Sequence, residues 1–185
     1  MKNGKLIVIS GASGVGNGTV LSLMMQKRDD LFFSVSATTR APRPGEVDGK
    51  HYFFISKECF EEMIKNDEFL EYDAHAANYY GTLRGQAEAK LKQGHVLRDI
   101  EPKGAAQVRK SAPDATLIFI MPPSVEELER RLRGRGDTSE DQIAMRMERA
   151  IWEMEQRTWY DYVVVNDDAQ RCADEILSII SKLED

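Results

Sequence analysis

Apolar residues along this chain follow two patterns. Some form short continuous runs closed by glycine or proline, and others recur three and four positions apart. Leu6-Ile7-Val8-Ile9-Ser10 is of the first kind and predicts a buried parallel strand. A glycine-rich loop follows at once, and Thr19 to Met25 then has helical character. Phe32 to Thr39 alternates and predicts a second strand, which enters the turn Ala41-Pro42-Arg43-Pro44-Gly45. His51 to Ile55 predicts an aromatic strand. Ser56 to Asn66 predicts a helix, with Ser56 as N-cap and Phe60, Met63 and Ile64 at helical spacing. Phe69 to His75 and Asn78 to Gly81 predict short strands around a bend, and Thr82 stands where it could cap a helix running to Lys92.

The second half repeats the strand–helix rhythm. His95 to Ile100 predicts a strand, Lys103 to Lys110 a helix, and Thr116 to Met121 an apolar strand stopped by Pro122-Pro123. Ser124 and Glu127 have the S-x-x-E spacing of a helix start. A dense basic cluster from Arg130 to Arg135 comes next, then a long helix from Ser139 to Gln156, a strand from Tyr162 to Val165 and a helix from Ala173 to Lys182. Strand–helix units at both ends with a β-rich segment between them predict an α/β fold of the P-loop type. The expected form is three α/β/α layers around a parallel core sheet, with an inserted β-rich lobe and a helical lid. The expectation is one domain over 1–185, with the core at 1–32, 83–123 and 157–185, the lobe at 33–82 and the lid at 124–156.

Composition narrows the function. With 185 residues and 42% hydrophobic content the chain can bury a core without disulfides or metals. A net charge of -6 argues against a general nucleic-acid binder, which needs a broad positive surface, but it allows a locally basic phosphate pocket. Cys59 and Cys172 have no CxxC spacing, and His51, His75 and His95 have no metal-ligand spacing. Neither a signal pattern nor an apolar run of about 18 residues is present, so the expectation is a cytoplasmic protein that does not engage a membrane.

The chemistry begins at Gly11-Ala12-Ser13-Gly14-Val15-Gly16-Asn17-Gly18-Thr19, between the first strand and the first helix. Gly11, Gly14, Gly16 and Gly18 let backbone N–H groups turn toward an anion at a helix N-terminus, with Ser13 and Thr19 adding hydroxyls. The Walker A pattern G-x-x-x-x-G-K-[ST] fails at one place, because Asn17 stands where the lysine belongs. That lysine neutralises charge as a phosphoryl group moves. Losing one preorganised transition-state donor costs ~3–4 kcal/mol, or ~10²–10³ in rate.

Beyond the loop, the chain resembles the guanylate kinase family over nearly its whole length. The resemblance is carried by the segment Ser34 to Glu46, by Gly49 with Tyr52-Phe53-Phe54, by Phe69-Leu70-Glu71, and by Asn78-Tyr79-Tyr80-Gly81-Thr82. Arg131 to Gly136 with Glu140, Ile143 and Arg146, and Val165-Asn166-Asp167-Asp168, carry it further. It implies that Arg40, Arg43, Tyr52 and Tyr80 hold the phosphate of GMP, and that Ser36, Glu71 and Thr82 read its guanine. It also implies that Asp99 belongs to the GMP site and that Arg131, Arg135 and Arg146 close over the transferring phosphates. Asn166 falls to the ATP side, and Mg²⁺ with ATP would lie near Thr19. The residue types suit these roles: guanidinium groups offer bidentate donors to phosphate, and a carboxylate suits the donor edge of guanine.

Where the family typically has [DE]-I-D-x-Q-G-A, this chain has Asp99-Ile100-Glu101-Pro102-Lys103-Gly104-Ala105. Arg98 falls where an apolar residue is usual, and a charge in a buried strand is expensive unless paired. The departures gather on the phosphoryl-transfer side. Two readings follow. In one, GMP is phosphorylated by ATP with impaired or conditional activity, and Lys103 from the neighbouring loop partly replaces the missing ammonium. In the other, GMP is bound but ATP-dependent transfer is lost, leaving a regulator, a scaffold or a different reaction such as hydrolysis, with Glu101 or Asp99 as base.

Overall fold

The computed structural model describes residues 4–75, 77–134 and 139–184. The first apolar run forms β1 (Leu6–Gly11), and it is the middle strand of a five-stranded sheet. Around it lie β2 (Leu31–Phe33), β7 (His95–Asp99), β8 (Thr116–Met121) and β9 (Tyr162–Val165), in the order β2-β7-β1-β8-β9 with every pairing parallel. Ile7, Val8 and Ile9 of β1 and Leu117 to Ile120 of β8 are all fully buried. Since successive side chains on a strand point to opposite faces, both faces of this sheet are covered, which is the three-layer arrangement.

The second sheet has the order β4-β3-β6-β5 and is mostly antiparallel. Its strands are β3 (Ser36–Thr38), β4 (Phe53–Phe54), β5 (Phe69–His75) and β6 (Asn78–Leu83). A small separate core of Ala37, Phe60 and Phe69 holds it, with the Phe60 and Phe69 rings stacked at 4.3 Å.

Seven helices are described: α1 (Asn17–Lys27), α2 (Lys57–Lys65), α3 (Arg84–Leu91), α4 (Pro102–Ser111), α5 (Val125–Arg133), α6 (Glu140–Glu155) and α7 (Ala169–Lys182). Ser56 and Ser124 cap α2 and α5 by accepting from the N–H groups of Cys59 and Glu127. Ser139 and Gln142 form a reciprocal capping box on α6.

The structure departs from the sequence expectation in four places. Phe32 to Thr39 is not one strand, because the chain leaves the parallel sheet after Phe33 and enters the second sheet at Ser36. His51 to Ile55 pairs only at Phe53 and Phe54. Thr82 does not cap α3. It lies within β6 and donates its hydroxyl to Glu71, and α3 starts without a side-chain cap. The last helix begins four residues earlier than expected, where Asp168 accepts from the N–H of Arg171 as N-cap. Among the described residues no helix is long and apolar enough to cross a membrane.

Candidate functional site

The C-terminal ends of β1 and β7 open onto a cavity of about 480 Å³ formed around the glycine loop. Strand ends beside the first helix N-terminus are the usual ligand position in open parallel sheets. Gly11, Ser13, Gly14, Gly16, Asn17, Gly18 and Thr19 line it, with Asp99 and Glu101 from the end of β7 and Arg149 and Glu153 from α6. Gly14 and Gly16 have φ of 91° and 100°, a left-handed backbone that favours glycine. At Gly14 a Cβ would also lie 2.5 Å from Leu132 Cδ2, so α5 packs directly on the loop.

Asn17 is the first residue of α1. Its Nδ2 donates to Asp99 Oδ1 at 3.0 Å, while its Oδ1 is buried without a partner among the described residues. Burial pushes the Asp99 carboxyl above the usual aspartate range, against the pull of that hydrogen bond. Where the family motif would set a cation against this carboxylate, an uncharged amide stands.

Three side chains brace the loop from behind. Asn166 Nδ2 donates to Val15 O at 2.8 Å, and Arg131 donates to Val15 O and Asn166 O at 3.2 and 3.1 Å. Asn166 is 4% exposed and packs behind Gly16. Arg146 Nη2 reaches Ser13 Oγ at 3.4 Å. Arg135 lies outside the described residues.

A second cavity, about 1120 Å³, lies between the antiparallel sheet and α6. Ser36, Tyr52, Glu71, Tyr80 and Lys103 line it, and Asp99, Glu101 and Arg149 line both cavities. Glu71 is fixed from two sides: its Oε1 accepts from the buried Thr82 hydroxyl and, at 3.2 Å, from Arg98 Nη2. Arg98 Nη1 also donates to Ser34 O at 2.9 Å, so the charge that looked misplaced in a buried strand is paired. Gly104 leaves room beside the other carboxylate oxygen, where a Cβ would lie 3.3 Å from Glu71 Oε2.

Arg40 is held by Glu46 through two bonds of 2.9 Å and lies 5.5 Å from the centre of the Tyr52 ring, with Tyr80 edge-on to Tyr52 at 6.1 Å. The Arg40 guanidinium and the backbone N–H of Arg43 hold the Glu46 carboxyl well below its ordinary value, at about 2. Arg43 itself is exposed and does not line the cavity. Lys103 lines the larger cavity and not the loop cavity, and its ammonium lies 5.9 Å from the Trp152 ring centre.

Two residues at the loop were not singled out from the sequence. Glu153, nearly fully buried, accepts from the Ser13 N–H at 2.7 Å. Arg149 pairs with Glu101 and donates to Glu153 at 3.0 Å. The available signal was their spacing: Arg146, Arg149 and Glu153 stand three and four apart on a predicted helix and therefore share a face.

Comparison with known proteins agrees with this geometry. The family model described as guanylate kinase matches residues 3–183. The guanylate kinase of Trichormus variabilis is 52% identical over 167 residues, covering 90% of this chain and 84% of that protein. The guanylate kinase of Streptococcus thermophilus is 50% identical over 181 residues, covering 97% of this chain and 87% of that protein. Among solved structures, a guanylate kinase from Anaplasma phagocytophilum superimposes with a TM-score of 0.71 at 33% identity, covering 98% of this chain and 86% of that one.

Proposed function

The chain belongs to the guanylate kinase family, and from that premise we propose that it transfers the γ-phosphoryl group of ATP to GMP, giving GDP and ADP, at a rate held down by Asn17. The observation that carries the reading is the pair of joined cavities meeting at Asp99 and Glu101. One is walled by glycine N–H groups suited to a polyphosphate. The other has a fixed carboxylate, Glu71, suited to the N1–H and amino edge of guanine, with Tyr52 and Tyr80 beside Arg40 for a monophosphate.

In this reading Ser36 and Glu71 contact the base, and Thr82 acts by holding Glu71 rather than by touching guanine. Arg40, Arg43, Tyr52 and Tyr80 take the GMP phosphate, which must compete with Glu46 for Arg40. Arg131, Arg135 and Arg146 belong to the lid and the loop, while Asn166 supports the loop backbone. Thr19, Asp99 and Glu101 place oxygen donors in the loop cavity, the kind that suits Mg²⁺, and Thr19 is the residue that would stand nearest to it. When bound with ATP, Mg²⁺ would supply charge neutralisation for the phosphates.

The reduced rate rests on Asn17, whose amide meets Asp99 with a dipole where a full charge is needed. A coupled assay of ADP release with ATP and GMP tests this on the chain and on Asn17→Lys. The expected result is measurable turnover in the chain and a rise of about 10²-fold or more in the variant. GMP binding without ADP release from either protein would replace this reading with that of a GMP-binding protein that has lost transfer. The Arg149–Glu101 pair disfavours Glu101 as the base of a hydrolytic alternative, because its carboxylate is turned to a guanidinium that a water would have to displace.

A further inference from the structure

We propose that Arg149, reaching in from α6, supplies at the phosphate site the positive charge that Asn17 leaves out of the loop. The inference rests on the phosphoryl-transfer reading above. Among the described residues, Arg149 is the one cation lining the loop cavity, and it also lines the larger cavity. It therefore stands at their junction, beside Asp99 and Glu101, where a group passing from one nucleotide to the other must cross. Arg146 reaches Ser13 Oγ at 3.4 Å but does not line the loop cavity, and Lys103 and Arg131 are engaged or misplaced. Lys103 lies over Trp152 and lines only the larger cavity. Arg131 donates to Val15 O, Asn166 O and Glu127.

Arg149 is held ready rather than free. Its guanidinium bridges Glu101, which is half exposed, and Glu153, whose other oxygen accepts from the Ser13 N–H. Glu153 thus occupies an anion position on the loop and carries Arg149 with it. A phosphate arriving at Ser13 takes over that N–H and meets the guanidinium already in place. A planar guanidinium offers several donors in a fixed fork, so it can contact a phosphoryl oxygen while keeping one carboxylate partner.

In the transfer step, an ionised oxygen of the GMP phosphate forms a bond to the γ-phosphorus. The bond from that phosphorus to the β–γ bridging oxygen breaks, and its electron pair leaves with ADP. No proton need move. Arg149 donates hydrogen bonds to the oxygens of the group in transit and forms no covalent bond.

A double-mutant cycle on ADP release tests the proposal, using Arg149→Gln and Arg149→Lys in the chain and in the Asn17→Lys background, with GMP KM and melting temperature recorded for each. If Arg149 substitutes for the loop cation, Arg149→Gln lowers kcat by about tenfold or more in the chain, with GMP KM little changed. Arg149→Lys restores part of the loss, and the same Gln change costs less than about threefold once Asn17→Lys has supplied a cation. An Arg149 that only ties the lid to Glu101 and Glu153 gives equal losses in both backgrounds, and that result, or no loss in the chain, overturns the inference while the kinase reading stands. Activity confined to the Asn17→Lys variant also overturns it, since Arg149 would then have replaced nothing. No ADP release from any variant removes the kinase reading itself and the inference with it.

Discussion

Arg98 shows how a residue that breaks a local rule can be explained by its partner. On β7 it follows Val96 and Leu97, both fully buried, and its own side chain is only 10% exposed. A lone charge there would be costly, but Glu71 from the second sheet meets it at 3.2 Å. The pair joins the two sheets at the wall of the larger cavity. We predict that Arg98→Leu, although it restores an apolar strand, lowers stability by about 1.5–3 kcal/mol by leaving Glu71 with Thr82 alone. It should also raise the KM for GMP, because Glu71 loses the contact that aims it. Urea denaturation and steady-state kinetics check both effects, and adding Glu71→Gln should recover part of the stability. A variant as stable as the parent would mean that water in the cavity replaces the guanidinium at no cost. Glu71 itself was legible from its motif, and so was the oddity of Arg98, but nothing in the spacing of residues 71 and 98 announced that they touch.

At the scale of elements, the glycine loop depends on α5 as much as on β1 and α1. The apolar face of α5 puts Leu128 and Leu132 in the core, and Leu132 closes against Gly14. Gly14→Ala adds a Cβ at 2.5 Å from Leu132 Cδ2 and forces a left-handed backbone on alanine. The left-handed conformation costs about 1–2 kcal/mol, and overpacking costs about 1–3 kcal/mol more. The expected loss is therefore about 2–5 kcal/mol, seen as a lower denaturation midpoint. Gly85→Ala on α3, where a Cβ meets nothing within 4 Å, is the control and should stabilise by about 0.5–1 kcal/mol. If the two substitutions behave alike, α5 does not press on the loop. The helices themselves were read from periodicity and caps: Ser56 and Ser124 each accept from the N–H three residues on, and Ser139, read as the first residue of its helix, does the same as its N-cap. Thr82 misled because a threonine before a helix suits a cap equally well, and the choice between cap and strand was made by Glu71 across the sheet.

Taken whole, the molecule is acidic and relies on arginines to hold its carboxylates ionised. Arg28, the C-cap of α1, joins Asp30 to Glu184, two residues past the end of α7, and holds both below their ordinary range. The same cluster contains His95, and among the described residues it is the one place where a histidine and two carboxylates converge. His95 Nδ1 accepts from the Lys5 N–H at 3.1 Å, so the neutral ring carries its proton on Nε2, toward Glu184, and a metal would have to displace it. The cluster ties the segment after α7 to the sheet. Glu127 is likewise held at about 2 by Arg130 and Arg131, and Glu46 at about 2 by Arg40, against an ordinary 4.5. A carboxylate with a depressed folded pKa contributes stability that is complete above its unfolded value and is lost as pH falls through the folded one. Asp99, pushed the other way by burial, opposes this. The melting temperature should then hold steady from neutral pH to about 5 and fall as pH drops from about 4.5 toward 2. A curve that stays flat down to that limit would show that solvent screening has removed these pairs from the balance. The sequence by itself determined the element order, the parallel core, the glycine loop with Asn17 in its cation position and the residue types for a guanine nucleotide, because periodicity, caps and contiguous motifs are local properties. The tertiary structure alone decided which charges far apart in sequence meet. It set Arg98 against Glu71, turned Lys103 toward Trp152, and brought Arg149 to Glu101 and Glu153 to the Ser13 N–H, since contacts between distant segments depend on how sheets and helices pack.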